Sequence, residues 1–278
     1  FTQSMGPFSD GFNRRKLKWI LSRAALVLLR DEASLANVRD LGVHGEHVRV
    51  TADAVFVLSP PAGITRGEAR NRKRVAISVR EWEHFKTRAN EAGTAAYQEG
   101  VRKLVAHLVW KHEAEVVFLS TCQGVEEYWT DDSRAATAIA AKLPAEVQAS
   151  VTVDSSFHRP HELLHLLSAF DLIIATRMHM AILGMVAGTP VIPIAYEFKT
   201  KELFRSIGFP ELVHDIETVT PESLIGQADR ILGDAEGFRR SFGDAAAAQR
   251  LRAMSAPDLL KQVVQEESTG RRLIQSRT

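Results

Sequence analysis

Residues 171–199 read DLIIATRMHMAILGMVAGTPVIPIAYEFK. Leu172–Thr176 is a continuous apolar run of strand length, Met178–Ala187 is an apolar stretch of helix length, and Val191–Tyr196 is a second strand-like run. Strands that are apolar on both faces and joined through a helix predict a parallel sheet buried between helical layers. The alternation continues towards the N-terminus. Strands are predicted over Val75–Val79, Val116–Ser120 and Val151–Asp154, and helices over Tyr97–His112, Ser133–Lys142 and His161–Phe170. In the first of these helices Val101, Leu104, Val105, Leu108 and Val109 recur at helical spacing. The fold class is therefore α/β.

A separate half precedes this one. Leu17, Ile20 and Leu21 predict a helix from about Asn13, Ala24–Leu29 a strand, and Val48–Leu58 a further strand-like stretch. Asp31–Leu41 reads as a helix capped by Asp31 and stopped by Gly42. The Pro- and Gly-containing, then basic, stretch 61–74 reads as a linker. Beyond Lys201 the chain reads as mostly helical, with Thr220-Pro221-Glu222 opening a helix. The first residue is Phe1, and Phe1–Ser4 resembles the end of a strand entering a Gly6-Pro7 turn, so further chain is expected before it.

Composition narrows the function classes. With 35 Lys+Arg against 34 Asp+Glu the formal charge of the 278-residue chain is +1, which is not the balance of a nucleic-acid-binding protein. Hydrophobic residues make up 45% and charged residues 25%, as in a folded domain. A single Cys excludes an intramolecular disulfide framework and a Cys-rich zinc module, and makes the cytoplasm the default location. No apolar run approaches the roughly 18 to 20 residues of a membrane span.

In an open parallel sheet, ligands bind beyond the carboxyl ends of the strands. That rule selects Arg80, then Thr121, Cys122 and Gln123, then Arg177 and His179, then Glu197 and Lys199. Two arginines, a lysine, a histidine and a carboxylate facing one crevice suit a small, highly charged anion, and a helix N-terminus adds to that preference. Each residue also has a structural reading: an Arg after a strand is often a surface ion pair, and His179 in an apolar helix could be a hydrogen-bonded core histidine. His161-Glu162-Leu163-Leu164-His165 formally matches a zinc-protease helix, with Asp171 as a third ligand. Leu163, Leu166, Leu167 and Phe170 predict a core-facing stripe on that helix, so its histidines are read as solvated. Ser168 also stands where the extended zinc motif turns on Gly. Cys122 reads as a small residue lining the crevice. The basic residues Arg14, Arg15, Lys16 and Lys18, and those between Arg66 and Arg74, read as solvated faces or as attraction to an anionic membrane surface.

Residues 171–199 resemble the signature segment of the polysaccharide pyruvyl transferase family, most specifically through Arg177-Met178-His179. Gln3-Ser4-Met5-Gly6-Pro7, Arg30-Asp31-Glu32-Ala33-Ser34, Asp53 in Ala52–Phe56 and Ser78-Val79-Arg80 are similar to further segments of that family. Met178 and Glu197 stand where the family more often has Leu and Asp, and the family's Asn/Gly-rich opening loop has no counterpart.

The resemblance implies a GT-B-like architecture of two Rossmann-like domains with parallel sheets, the first truncated at its N-terminus. Residues 1–60 would be the C-terminal part of the first domain, 61–74 the linker, 75–245 the second domain, and 246–278 helices packing back towards the first. It implies an enzyme that moves the pyruvyl group of phosphoenolpyruvate onto sugar hydroxyls of a polysaccharide or glycolipid precursor. The partners would be phosphoenolpyruvate and a glycan or lipid-linked sugar acceptor, with no cofactor, metal or nucleic acid, at the cytoplasmic side and extending to peripheral contact with the membrane. His179 and Glu197 are the candidate catalytic residues, and Arg80, Arg177, Lys199, Gln123, Ser4 and Gly6 the candidate substrate-binding residues. Arg177→Ala and His179→Ala are each expected to abolish transfer and to leave the fold intact. A nucleotide-sugar-dependent GT-B glycosyltransferase and a non-catalytic anion- or sugar-binding protein are the alternatives.

Overall fold

A computed structural model of the chain describes residues 2–59, 72–82, 84, 90–122 and 131–275. The predicted linker residues 61–71 and Gln123 lie outside the described residues. The chain divides into two compact units, Phe1–Leu58 with Ala247–Thr278, and Ser59–Ala246.

The first unit begins with Gln3 in a parallel bridge to Leu29 and a cis Gly6–Pro7 peptide bond. Helix α1 (Gly11–Leu21) is capped by the Asp10 side chain and leads to strand β1 (Val27–Leu29). Helix α2 (Glu32–Asp40) has Asp31 as its N-cap, accepting from the Ser34 amide, and ends before Gly42, whose φ is +78°. Strand β2 (Val48–Val50) pairs parallel with β1. The predicted strand to Leu58 stops at Val50. Asp53 caps the Val55 amide and turns Ala54–Val57 into a short 3₁₀ helix, a local side-chain bond outcompeting the sheet. Leu21, Val27, Leu29, Val38, Leu41, Val43 and Val48 form this unit's core.

The second unit holds β3 (Arg74–Ser78), α3 (Asn90–His112), β4 (Glu115–Phe118), α4 (Asp132–Ala140), α5 (Ala145–Gln148) and β5 (Val151–Val153). It continues with α6 (Pro160–Leu167), β6 (Leu172–Ala175), α7 (Met178–Val186), β7 (Val191–Ala195), α8 (Phe198–Ser206), β8 (His214–Asp215) and α9 (Pro221–Gly233). The six strands are all parallel, in the order β5-β4-β3-β6-β7-β8. Counted within the unit this is the doubly wound order 3-2-1-4-5-6, whose direction reverses between β3 and β6. Strands β6 and β7 are buried throughout, as their unbroken apolar runs require.

Helix α7 lies close on the sheet. A Cβ on Gly184 would stand 2.7 Å from Ile173 Cδ1 and 2.8 Å from Val191 Cγ2, so only glycine lets this helix approach β6 and β7. The predicted C-terminal helices are one long helix, α10 (Ala235–Gln275), which runs through the boundary expected near 245. Its Ala-rich stretch 245–248 has high helix propensity and no stop signal. In the first unit Arg252 of α10 approaches Glu32 at 3.7 Å.

Candidate functional site

The strand order reverses between β3 and β6, the point at which sheets of this topology take their ligands, and beyond the carboxyl ends of those strands the chain continues into Arg80 and Thr176-Arg177. Tyr97 of α3 lies beneath both. Its buried hydroxyl is 2.9 Å from Thr176 Oγ1 and also hydrogen-bonds the Arg80 backbone, tying the two strand ends together. Burial pushes the Tyr97 phenol up to about 12, so it acts as a neutral hydrogen-bonding strut near pH 7.

Arg177 is the N-cap residue of α7. Its Nε and Nη2 donate to the two carboxylate oxygens of Asp132 at 2.7 and 2.8 Å, a bidentate pair that fixes the plane of the guanidinium. Asp132 is 1% exposed, and its carboxylate raises the Arg177 pKa beyond its already high ordinary value against the opposing effect of burial. Arg80 is held by aromatic faces instead. Its guanidinium carbon lies 4.1 Å from the Tyr196 ring centroid and 4.9 Å from that of Trp82, while Nε donates to the Glu81 carbonyl at 3.3 Å. Trp82 and Tyr196 are themselves in contact, with centroids 4.8 Å apart. Burial and then the Glu197 charge raise the Tyr196 phenol pKa, and Arg80 and Arg177 pull it down. Arg80 packs on this ring, and the Arg177 charge acts on the same phenol.

His179 stands in the first turn of α7 and is exposed, whereas every other residue of that helix is buried. The reading of His179 as a core histidine is thereby removed. Glu197 is the N-cap residue of α8, makes no side-chain cap hydrogen bond, and pairs with Lys199 at 3.4 Å. Arg177 and Lys199 each have a carboxylate partner, and Arg80 lies against two rings that touch each other. Asp132, Trp82, Tyr196 and Tyr97 were not picked out as site residues from the sequence. Asp132 had one detectable signal: it occupies a position of the apolar stripe that continues through Ala135, Ala136 and Ile139 of α4, where a carboxylate requires a buried partner.

Ser4 and Gly6 belong to the first unit. The Ser4 hydroxyl accepts from Arg30 Nε and donates to Asp31 Oδ2, both at 2.5 Å, and Arg30 Nη1 pairs with Asp53 at 2.7 Å. Gly6 has φ +84°, and a Cβ there would come within 2.7 Å of the Asn37 side chain, whose amide donates to the Met5 carbonyl.

The zinc-protease reading of His161–His165 is not supported. Glu162 accepts from the Arg159 amide as the first-turn partner of a capping box, and Asp171 accepts from the Arg74 amide and from Arg239. On this helix Leu163, Leu164 and Leu167 are buried and Leu166 is half-buried, so the core stripe includes Leu164. Among the described residues one trio could hold a metal, His107, His112 and Asp229. Both imidazole Nε2 atoms lie within 2.8 Å of Asp229 Oδ1, and Lys111 Nζ lies 2.7 Å from Oδ2, a set already satisfied as a tie between α3 and α9.

The polysaccharide pyruvyl transferase family pattern matches residues 1–197, which include both strand ends, Arg80, Arg177 and His179. The chain belongs to the polysaccharide pyruvyl transferase family. As a member of that family it is 27% identical over 256 residues to the amylovoran biosynthesis protein AmsJ of Erwinia amylovora, an alignment covering 89% of this chain and 61% of AmsJ. Among solved structures, this pyruvyl transferase family chain is similar to HepE of Anabaena in complex with UDP-glucose, with a TM-score of 0.55, 15% identity, and 93% of this chain and 68% of that one covered. It is also similar to a sucrose-phosphate synthase of Thermosynechococcus elongatus, with a TM-score of 0.54, 18% identity, and coverage of 96% and 63%. These likenesses show a GT-B-like fold. The chain spans about three fifths of the length of AmsJ and of the sucrose-phosphate synthase. Among the described residues no helix is long and apolar enough to cross a membrane.

Proposed function

We propose that this protein transfers the pyruvyl group of phosphoenolpyruvate to two hydroxyls of a sugar in a polysaccharide or glycolipid precursor, forming a pyruvate ketal and releasing phosphate. The observation that carries this reading is the adjacency of the two strand ends that run into Arg80 and Arg177, paired in parallel register at the sheet's reversal point and tied by Tyr97, with the exposed His179 in the first turn of α7. Phosphoenolpyruvate carries a carboxylate and a phosphate close together. A guanidinium held flat by Asp132 offers its Nη1 edge to one of them, and Arg80, packed against Tyr196 and Trp82, serves the other.

The reaction protonates the methylene carbon of the enol. One sugar hydroxyl then adds to the cationic carbon and loses its proton, phosphate departs, and the second hydroxyl adds and loses its proton. One proton is consumed at carbon and two leave the hydroxyls, the surplus one departing on the phosphate as hydrogen phosphate, so an acid and a base are needed in turn. His179 moves these protons, and Glu197, paired with Lys199, orients it or deprotonates the acceptor. Gln123, Ser4 and Gly6 are further candidate substrate contacts.

The test is incubation of the protein with phosphoenolpyruvate and a panel of galactose-, glucose- and mannose-type acceptors. Phosphate release together with a ketal-sized mass gain is expected. Consumption of a nucleotide-sugar in its place, with phosphoenolpyruvate untouched, would move the assignment to a glycosyltransferase. Binding without turnover of either would leave an anion-binding protein.

A further inference from the structure

Helix α1 carries an outward face that the core does not explain. Leu21 is buried in the first unit's core and Leu17 packs against it. On the far side of the helix Phe12 and Trp19, seven residues or about two turns apart, are 65% and 60% exposed, and Ile20 beside them is 53% exposed. Arg15, Lys16 and Arg23 share that exposed side. Lys16 Nζ lies 4.0 Å from the centroid of the Phe12 ring, and Arg23 lies 4.6 Å from that of Trp19. Gly11–Leu21 contains no Asp or Glu, and Arg14 of this helix is drawn aside to Asp40.

We propose that this face of α1 docks on an anionic phospholipid bilayer, an inference that does not depend on the pyruvyl transfer reading. Trp and Phe settle at the headgroup boundary because their rings leave water there, while Lys and Arg extend from apolar stems to the phosphates. The cations already positioned over Phe12 and Trp19 are arranged for that division, with rings towards the acyl boundary and charge towards the headgroups. A second copy of the chain is a poor occupant, since a face paired with itself would set Arg15, Lys16 and Arg23 against the same cations. An anionic surface complements them.

The experiment is co-sedimentation of the whole chain with vesicles of phosphatidylcholine alone or mixed with phosphatidylglycerol. Binding to the mixed vesicles, weakened by added salt, is expected for the wild type, with none to the neutral ones. Phe12→Ser/Trp19→Ser and Arg15→Gln/Lys16→Gln should each lower the partition coefficient about tenfold or more, with thermal unfolding unchanged because these side chains are exposed. Absence of wild-type binding, or equal binding by either double variant, would overturn the proposal. So would light scattering that shows a dimer abolished by Phe12→Ser/Trp19→Ser in a chain that ignores vesicles.

Discussion

Asp132 and Arg177 form a bidentate ion pair, at 2.7 and 2.8 Å, between the first turn of α4 and the N-cap of α7. The carboxylate is buried and the guanidinium only slightly exposed, so neither charge can be removed without stranding the other. Arg177→Ala is therefore not the silent substitution for the fold that the sequence led us to expect. Asp132→Asn is expected to lower unfolding free energy by about 3 kcal/mol, read from the urea midpoint, and to weaken donor binding by freeing the Arg177 plane. Retained stability together with normal KM for phosphoenolpyruvate would sink the positioning role.

His179 is the converse case. It is the exposed residue of an otherwise buried helix, so His179→Ala should leave stability within about 0.5 kcal/mol of wild type. Transfer should fall by about 10²- to 10⁴-fold if it carries a proton. A melting curve and a phosphate-release assay on the same preparation separate the two effects, and unchanged turnover would remove it from the site.

Gly184 offers a test of the packing that places both residues. Gly184→Ala would drive a methyl group into Ile173 and Val191, forcing α7 off β6 and β7 at a cost of about 1–3 kcal/mol. The expected result is a lower melting temperature accompanied by loss of activity. A variant as stable as the wild type would mean that the helix has room to rise.

The Asp229 cluster sets an acid dependence. His107, Lys111 and His112 all bond the Asp229 carboxylate and hold its pKa well below the ordinary value, although partial burial opposes them. A carboxylate lowered in the folded state contributes stability that is complete above the unfolded value of about 3.9 and is lost as the pH falls towards the folded one. Asp229→Asn should therefore cost about 1 kcal/mol at neutral pH, allowing for its partial exposure, and progressively less below pH ~4. Urea titrations at the two pH values give the comparison, and a pH-independent difference would show that the carboxylate charge is not what ties α3 to α9.

Much of the second unit was legible because its strands are buried on both faces. Leu172–Ala175 and Val191–Ala195 are apolar without a break, and the position of Arg177 and His179 after the first of them follows from the alternation alone. Elements with weaker patterns were harder to bound. The start of α3 at Asn90 precedes the apolar spacing that begins near Tyr97, and β8 is two half-buried residues. The site residues that escaped notice share a cause. Asp132 and Tyr196 are recognised by what they touch across the chain, and their partners are 45 and 116 residues away, Arg177 and Arg80 respectively. The basic patch on α1 was visible as charge, but the outward direction of Phe12 and Trp19 needed the packing of Leu17 and Leu21.

The strand order has a consequence for how the molecule is made. Strand β3 pairs with β4 on one edge and with β6 on the other, and Asp171, just before β6, accepts the amide of Arg74 at the start of β3. During synthesis the second edge of β3 stays open until almost a hundred further residues have emerged, an interval in which an apolar strand with unpaired amides can recruit the wrong neighbour. Completion of β6 closes that edge and brings the strand end that carries Arg177 beside the one that carries Arg80 in the same event, so a nascent chain halted before Asp171 would be both prone to aggregate and without that pairing.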